Sequence, residues 1–137
     1  MKNFKKKNKI NKITIGLPCY NEEKNIEKSI KDSLNFIKNN KISNYEKLII
    51  DNNSTDNTLK KIEKFKKNKN IKIIKNDKNI FYSGSVGKII YLSKYKEIGI
   101  IDIRKELFCE ISFLTFDVKH LFFSWAVIPQ WVTTSLK

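Results

Sequence analysis

Arginine is almost missing from this chain. Arg104 is the only one among 28 basic residues in 137; the others are lysines. Readers of phosphate and nucleic acid lean on the bidentate arginine fork. The net charge of +14 therefore reads as a bias toward Lys, Ile and Asn, and nucleic acid is not an expected partner. Cysteine is scarce too. Cys19 and Cys109 lie far apart in unlike contexts, which excludes a disulfide framework and a cysteine metal set. A reducing cytosol is the expected compartment. No apolar run approaches the roughly 20 residues of a bilayer span. The longest, Leu121 to Val132, is interrupted by Pro129 and Gln130.

Acid is absent from residues 1–12, which carry Lys2, Lys5, Lys6, Lys7, Lys9 and Lys12. Without an apolar core this segment is not a signal peptide. A solvated basic arm over 1–11 is the plainer reading. Peripheral contact with anionic lipid at the inner face of the membrane is the alternative. Hydrophobic residues at 40% and charged ones at 31% describe a globular chain, long enough for one domain with a modest core.

The domain is expected over 12–105. Lys12 to Leu17 reads as a β-branched strand stopped by Pro18, with a turn at Cys19-Tyr20-Asn21. Ile26, Ile30, Leu34 and Ile37 mark one face of a helix that fades at Asn39-Asn40. Glu46 to Asp51 is a second strand. Its run Leu48-Ile49-Ile50 fits a strand buried on both faces. Ser54 or Thr55 is placed to cap a helix carrying Leu59, Ile62 and Phe65, with Asp56 in its first turn. Ile71 to Ile74 is a third strand. Ser83-Gly84-Ser85 opens a third helix, and Ile98 to Ile101 is a fourth strand ending at Asp102. The order βαβαβαβ implies a parallel sheet. Asn21, Asp51 and Asp102 then converge on one sheet edge, the usual place for a ligand.

Residues 106–137 differ. Lys119 and Lys137 are their only bases, against Glu106, Glu110 and Asp117, and both tryptophans and His120 fall there. Leu107, Ile111 and Leu114 have helical spacing, whereas Phe113, Phe116, Phe122 and Phe123 fit no period. This divergent hydrophobic tail is either a packing segment or foreign sequence from a frameshift or truncation.

Three segments together resemble family-two glycosyltransferases. One is Ile13 to Glu23, with Pro18, Tyr20, Asn21 and Glu22 like the family's P-x-Y-N-E turn. Another is Ile49 to Thr58, like its D-[DN]-x-S-x-D-x-T loop. The third runs from Asn79 through Gly84 to Asp102, toward its Asp-x-Asp. The resemblance covers about 12–102. It implies an α/β GT-A (Rossmann-like) three-layer sandwich with a mostly parallel sheet, incomplete at the C-terminus. It also implies transfer of a sugar from a UDP- or GDP-linked donor to an acceptor. Pro18, Tyr20, Asn21, Glu22, Asp51, Asn52, Ser54 and Gly84 would bind the nucleotide sugar, and Asp102 a divalent cation, Mn or Mg.

Two departures bear on catalysis. Arg104 replaces the second carboxylate of Asp-x-Asp. Glu106 would have to substitute, or Arg104 would have to pair with the diphosphate; weak or no metal binding is the plainer outcome. No downstream segment resembles the acceptor half with its general base, so the catalytic residues are unassigned. Glu110, Asp117 and His120 are available types only. A non-catalytic nucleotide-binding remnant, or a truncated glycosyltransferase, is the first alternative. A basic domain for anionic lipid or nucleic acid is the second. Gly84 to Lys88 is not a P-loop, since Tyr82 and Ile89 stand where Gly and Ser or Thr belong.

Overall fold

The computed structural model describes residues 10–103 and the backbone of 111–115. Strand β1 is Lys12–Cys19, helix α1 Ile26–Asn39, β2 Asn44–Asp51, α2 Thr58–Glu63, β3 Ile71–Lys75, α3 Phe81–Leu92, β4 Glu97–Ile101 and β5 Ile111–Thr115. They form one sheet in the order β3-β2-β1-β4-β5. The first four strands run parallel, and β5 pairs antiparallel with β4. The α/β fold with a mostly parallel sheet is as expected.

Alternation along the strands sends side chains to two cores, one on each face of the sheet. Ile13, Ile15, Leu17 and Cys19 join Ile26, Ile30 and Ile37 of α1 and Ile62 of α2. On the other face Leu48, Ile50, Ile98 and Ile100 pack against Ile89 of α3. The sheet thus lies between α1 and α2 on one side and α3 on the other. At Gly16, α3 packs close against β1. A Cβ there would stand 2.5 Å from Ile89 Cγ2 and 3.0 Å from Ile100 Cδ1.

Helix α1 ends in a Schellman motif. Ile42 N donates to Ile37 O, Lys41 N donates to Lys38 O, and Lys41 has φ 52. Ile37 and Ile42 are both buried and supply the accompanying apolar contact. Glu46 ties the far end of the sheet together. It accepts hydrogen bonds from Thr14 Oγ1, Lys72 Nζ and the Lys94 amide. Burial raises its carboxyl, but the Lys72, Lys94 and Thr14 bonds overcome that and hold it below the usual range.

Four local expectations are corrected. Pro18 does not stop β1, which runs on to Cys19. The β1–β4 pairing ends at Gly16↔Ile100. A residue without an N–H therefore falls where β1 has one side unpaired. Helix α2 begins at Thr58 after Asn57, so neither Ser54 nor Thr55 caps it. Helix α3 begins at Phe81, two residues before the expected opening. The helical spacing through Ile111 and Leu114 yields to strand β5, since backbone pairing with β4 overrides a short apolar period. Phe116, Phe122, Phe123 and the tryptophans lie outside the described residues.

Gly16→Val should lower stability by about 1–3 kcal/mol through overpacking against Ile89. Urea unfolding of the variant against the parent chain measures it.

Candidate functional site

Strand order reverses around β1. Chain progress moves outward through β2 and β3 on one side, then returns to β4 on the other. Crevices form beyond the strand ends at such a switch point. The cleft found there has a volume of about 180 Å³. Pro18, Cys19 and Tyr20 reach it from the end of β1, Asn52 from β2, and Asp102 and Ile103 from β4. Glu22 lines it too, as do Asn79, Phe81, Tyr82 and Ser85 around the start of α3.

The turn after β1 is stitched to the loop after β2. Ser54 Oγ accepts from the Asn21 amide at 3.0 Å, and Thr58 Oγ1 accepts from the Glu22 amide at 2.8 Å. Asp56 Oδ2 accepts from the Glu23 amide at 3.2 Å. In return Asn21 Oδ1 accepts from the Thr55 amide at 2.8 Å, and Glu23 Oε2 from the Asn57 amide at 3.0 Å. Asn21 and Asn53 adopt φ 51 and φ 64, a left-handed conformation that asparagine tolerates better than most residues. Asn21 and Ser54 thus bond to the opposite segment of the stitch. Neither is among the residues lining the cleft.

Asp51 is fully buried between the lining residue Asn52, next to it in the chain, and Cys19, its partner in register; like Gly84 it is not itself on the cleft lining. Its Oδ2 accepts from the Ser54 amide at 3.3 Å, while Oδ1 has no partner. Asn52 organises the next wall. Its Oδ1 accepts from Asn76 Nδ2 at 3.1 Å and the Ile80 amide at 2.9 Å. Its Nδ2 donates to Asn79 Oδ1 at 2.7 Å. Lys88 Nζ donates to Asn76 Oδ1 at 2.6 Å, tying this loop to α3. Gly84 is within α3 and packs on Ile80, whose Cβ would lie 3.1 Å from an added methyl.

Burial above all, then the Asp51, Glu22 and Asp56 carboxylates, pushes the Cys19 thiol far up. Its Sγ donates to Ile50 O, so it is a packed thiol and no nucleophile. Asp56 goes the other way. Burial raises its carboxyl, but hydrogen bonds from the Thr58 hydroxyl and amide and the Glu23 amide hold it below the usual range.

Sequence reasoning passed over Cys19, Asn79, Phe81, Tyr82, Ser85 and Ile103 as lining residues. Asn79 to Ser85 sit within the third motif segment, and that proximity was the one available signal. Asp102 and Glu22 are the acids on the lining, and among the described residues no three His, Cys, Asp or Glu side chains gather as a metal set. Such a lining fits a Mg or Mn ion held largely by substrate phosphates and water. It does not fit a cage made by the protein. Arg104 and Glu106 lie outside the described residues.

The chain belongs to glycosyl transferase family 2, which matches residues 14–102. An uncharacterised protein of Methanocaldococcus jannaschii is 35% identical over 92 residues, which cover 63% of this chain and 37% of that one. Among solved structures, residues 1–349 of S. aureus TarS with UDP-GlcNAc align at a TM-score of 0.57 and 23% identity, covering 66% of this chain and 26% of that one. Mannosyltransferase PcManGT from Pyrobaculum calidifontis, with GDP-Man and Mn2+, aligns at 0.56 and 16%, covering 66% and 27%. Glucosyl-3-phosphoglycerate synthase from Mycobacterium tuberculosis, with Mn2+, UDP and phosphoglyceric acid, aligns at 0.52 and 19%, covering 68% and 33%. The fold is that of GT-A glycosyltransferases. The chain spans about a third of the curated relative's length and a quarter to a third of these structures.

Asp56 and Glu46 have folded-state values below their unfolded ones. They add stability above the ordinary carboxylate range, roughly pH 4, and lose it as pH falls through the folded values. Thermal unfolding between pH 7 and pH 2 should show a steep loss below pH 4 that is shallower in Asp56→Asn. Asp56→Ala should cost about 1–3 kcal/mol at pH 7 by stranding the Glu23 and Thr58 donors.

Proposed function

We propose that this cleft binds a nucleotide diphosphate sugar, UDP- or GDP-linked, as the donor site of a glycosyltransferase. The observation that carries the reading is the unpartnered Oδ1 of the buried Asp51. An acceptor atom left without a donor, next to the lining residues Cys19 and Asn52 of an aromatic-lined cleft, suits the ring N–H of a planar base. Tyr20, 45% exposed on the lining, offers the base an aromatic surface. A cleft of about 180 Å³ takes one end of such a ligand, with the diphosphate extending toward Asp102. Family membership supports the same class of ligand.

In a transfer, the bond from the anomeric carbon to the diphosphate oxygen breaks and one to an acceptor oxygen forms. The acceptor hydroxyl gives its proton to a base. Asp102 is the residue that would hold a divalent cation, which when bound neutralises charge on the leaving diphosphate. Glu110, Asp117 and His120 lie outside the described residues, and no role is given to them. A cytoplasmic setting belongs to the same reading. It is supported by the scarcity of cysteine, and no helix among the described residues is long and apolar enough to cross a membrane. The acidless lysine segment at 1–12 would bring the domain to an anionic membrane face.

Calorimetric titration of the full chain with UDP and GDP, with and without Mn2+, tests the proposal. Asp51→Asn should weaken binding about tenfold or more, since its amide turns a donor toward the base N–H. Asp102→Ala should remove only the metal-dependent part. Binding that ignores both metal and Asp102 points to a nucleotide-binding module without transfer chemistry. Absence of binding to either nucleotide refutes the proposal.

A further inference from the structure

Within the third motif segment, helix α3 brings two features to the cleft to which the resemblance assigns no role. Phe81, its first residue, has φ 62. Bulky side chains rarely adopt this left-handed conformation, which persists where the surroundings impose it. Here Asn79 Oδ1 accepts from the Phe81 amide at 2.8 Å, and Asn52 Oδ1 accepts from the Ile80 amide at 2.9 Å. The outcome is a phenyl ring on the cleft lining that is 75% exposed. A scattered exposed phenylalanine needs no explanation. One held in a strained conformation, on a lining that also carries Tyr20, does.

Ser85 lies one helical turn further on, on the same face of α3. It is fully buried, lines the cleft, and its hydroxyl has no partner. A buried hydroxyl left unpaired destabilises the fold. Both features carry a local cost, and both face one space.

We propose that Phe81 and Ser85 form a nucleoside-recognition wall. The Phe81 ring stacks on the planar base, with Tyr20 as a second aromatic surface, and the Ser85 hydroxyl bonds a polar atom on the nucleoside edge. The inference rests on the reading of the cleft as a nucleotide-sugar site. Stacking of this kind tolerates different bases, so the wall favours nucleosides over free phosphates without selecting uracil or guanine.

Two variants test it, and each relieves a local cost. Phe81→Gly suits φ 62, and Ser85→Ala removes the orphan hydroxyl. Both should keep or raise the thermal midpoint of the full chain. Titration with UDP and GDP should show about tenfold weaker binding for Phe81→Gly, the loss of one base–aromatic stack. Ser85→Ala should bind about fivefold more weakly, and Phe81→Tyr should bind like the parent. Parent-like affinity in Phe81→Gly and Ser85→Ala overturns the wall and leaves the donor-site reading standing. Phe81→Tyr as weak as Phe81→Gly likewise overturns it. A parent chain that binds neither nucleotide overturns the donor-site reading and the wall with it.

Discussion

The reciprocal bonding between the turn after β1 and the loop after β2 is the constraint on which the site depends. The amides of Asn21, Glu22 and Glu23 are satisfied by side chains 33 to 36 residues later in the chain. The loop amides of Thr55 and Asn57 are satisfied by Asn21 and Glu23. Neither segment is regular structure, so these polar groups would otherwise rely on water. Their pairing sets where β1 stops, where α1 starts and where Tyr20 stands. One oxygen of Asp51, next in the chain to the lining residue Asn52, stays uncommitted.

The second wall follows from packing on the other face of the sheet. Gly16 lets Ile89 approach β1, which seats α3 against the strands. Asn52 then connects the end of β2 to Asn76, Asn79 and the Ile80 amide, and Lys88 returns the connection to α3. Phe81 is turned outward at the helix start by that asparagine network. A change at Asn52 would therefore reach both the cleft floor and its aromatic rim.

Much of the scaffold is legible in the sequence, because apolar runs and helical spacings report burial directly. Ile26, Ile30 and Ile37 are buried as their period requires, and Leu48-Ile49-Ile50 is buried on both faces. That Asn21, Asp51 and Asp102 fall at the same end of the sheet follows once the strands are parallel, although only Asp102 of the three lines the cleft. What spacing cannot convey is the direction of a polar bond. Asn21 and Ser54 stand out as polar residues at strand ends, yet they bond to each other's segment. Pro18 reads as a stop because the unpaired side of β1 is set by β4, which comes about 80 residues later in the chain. Phe81 is invisible as a rim residue, since no composition cue places a phenylalanine at positive φ. Strand β5 depends on a partner edge, which a five-residue apolar period does not reveal.

The central claim is that the edge formed by the ends of β1, β2 and β4 recognises a nucleotide. Backbone amide NMR of the full chain during titration with UDP or GDP tests it most directly. The account predicts saturable shift changes concentrated at Tyr20, Glu22, Asn52, Phe81, Ser85 and Asp102, with α1 and β3 little altered. Changes confined to the lysine-rich stretch from Lys60 to Lys78, or no saturable change anywhere, would contradict it.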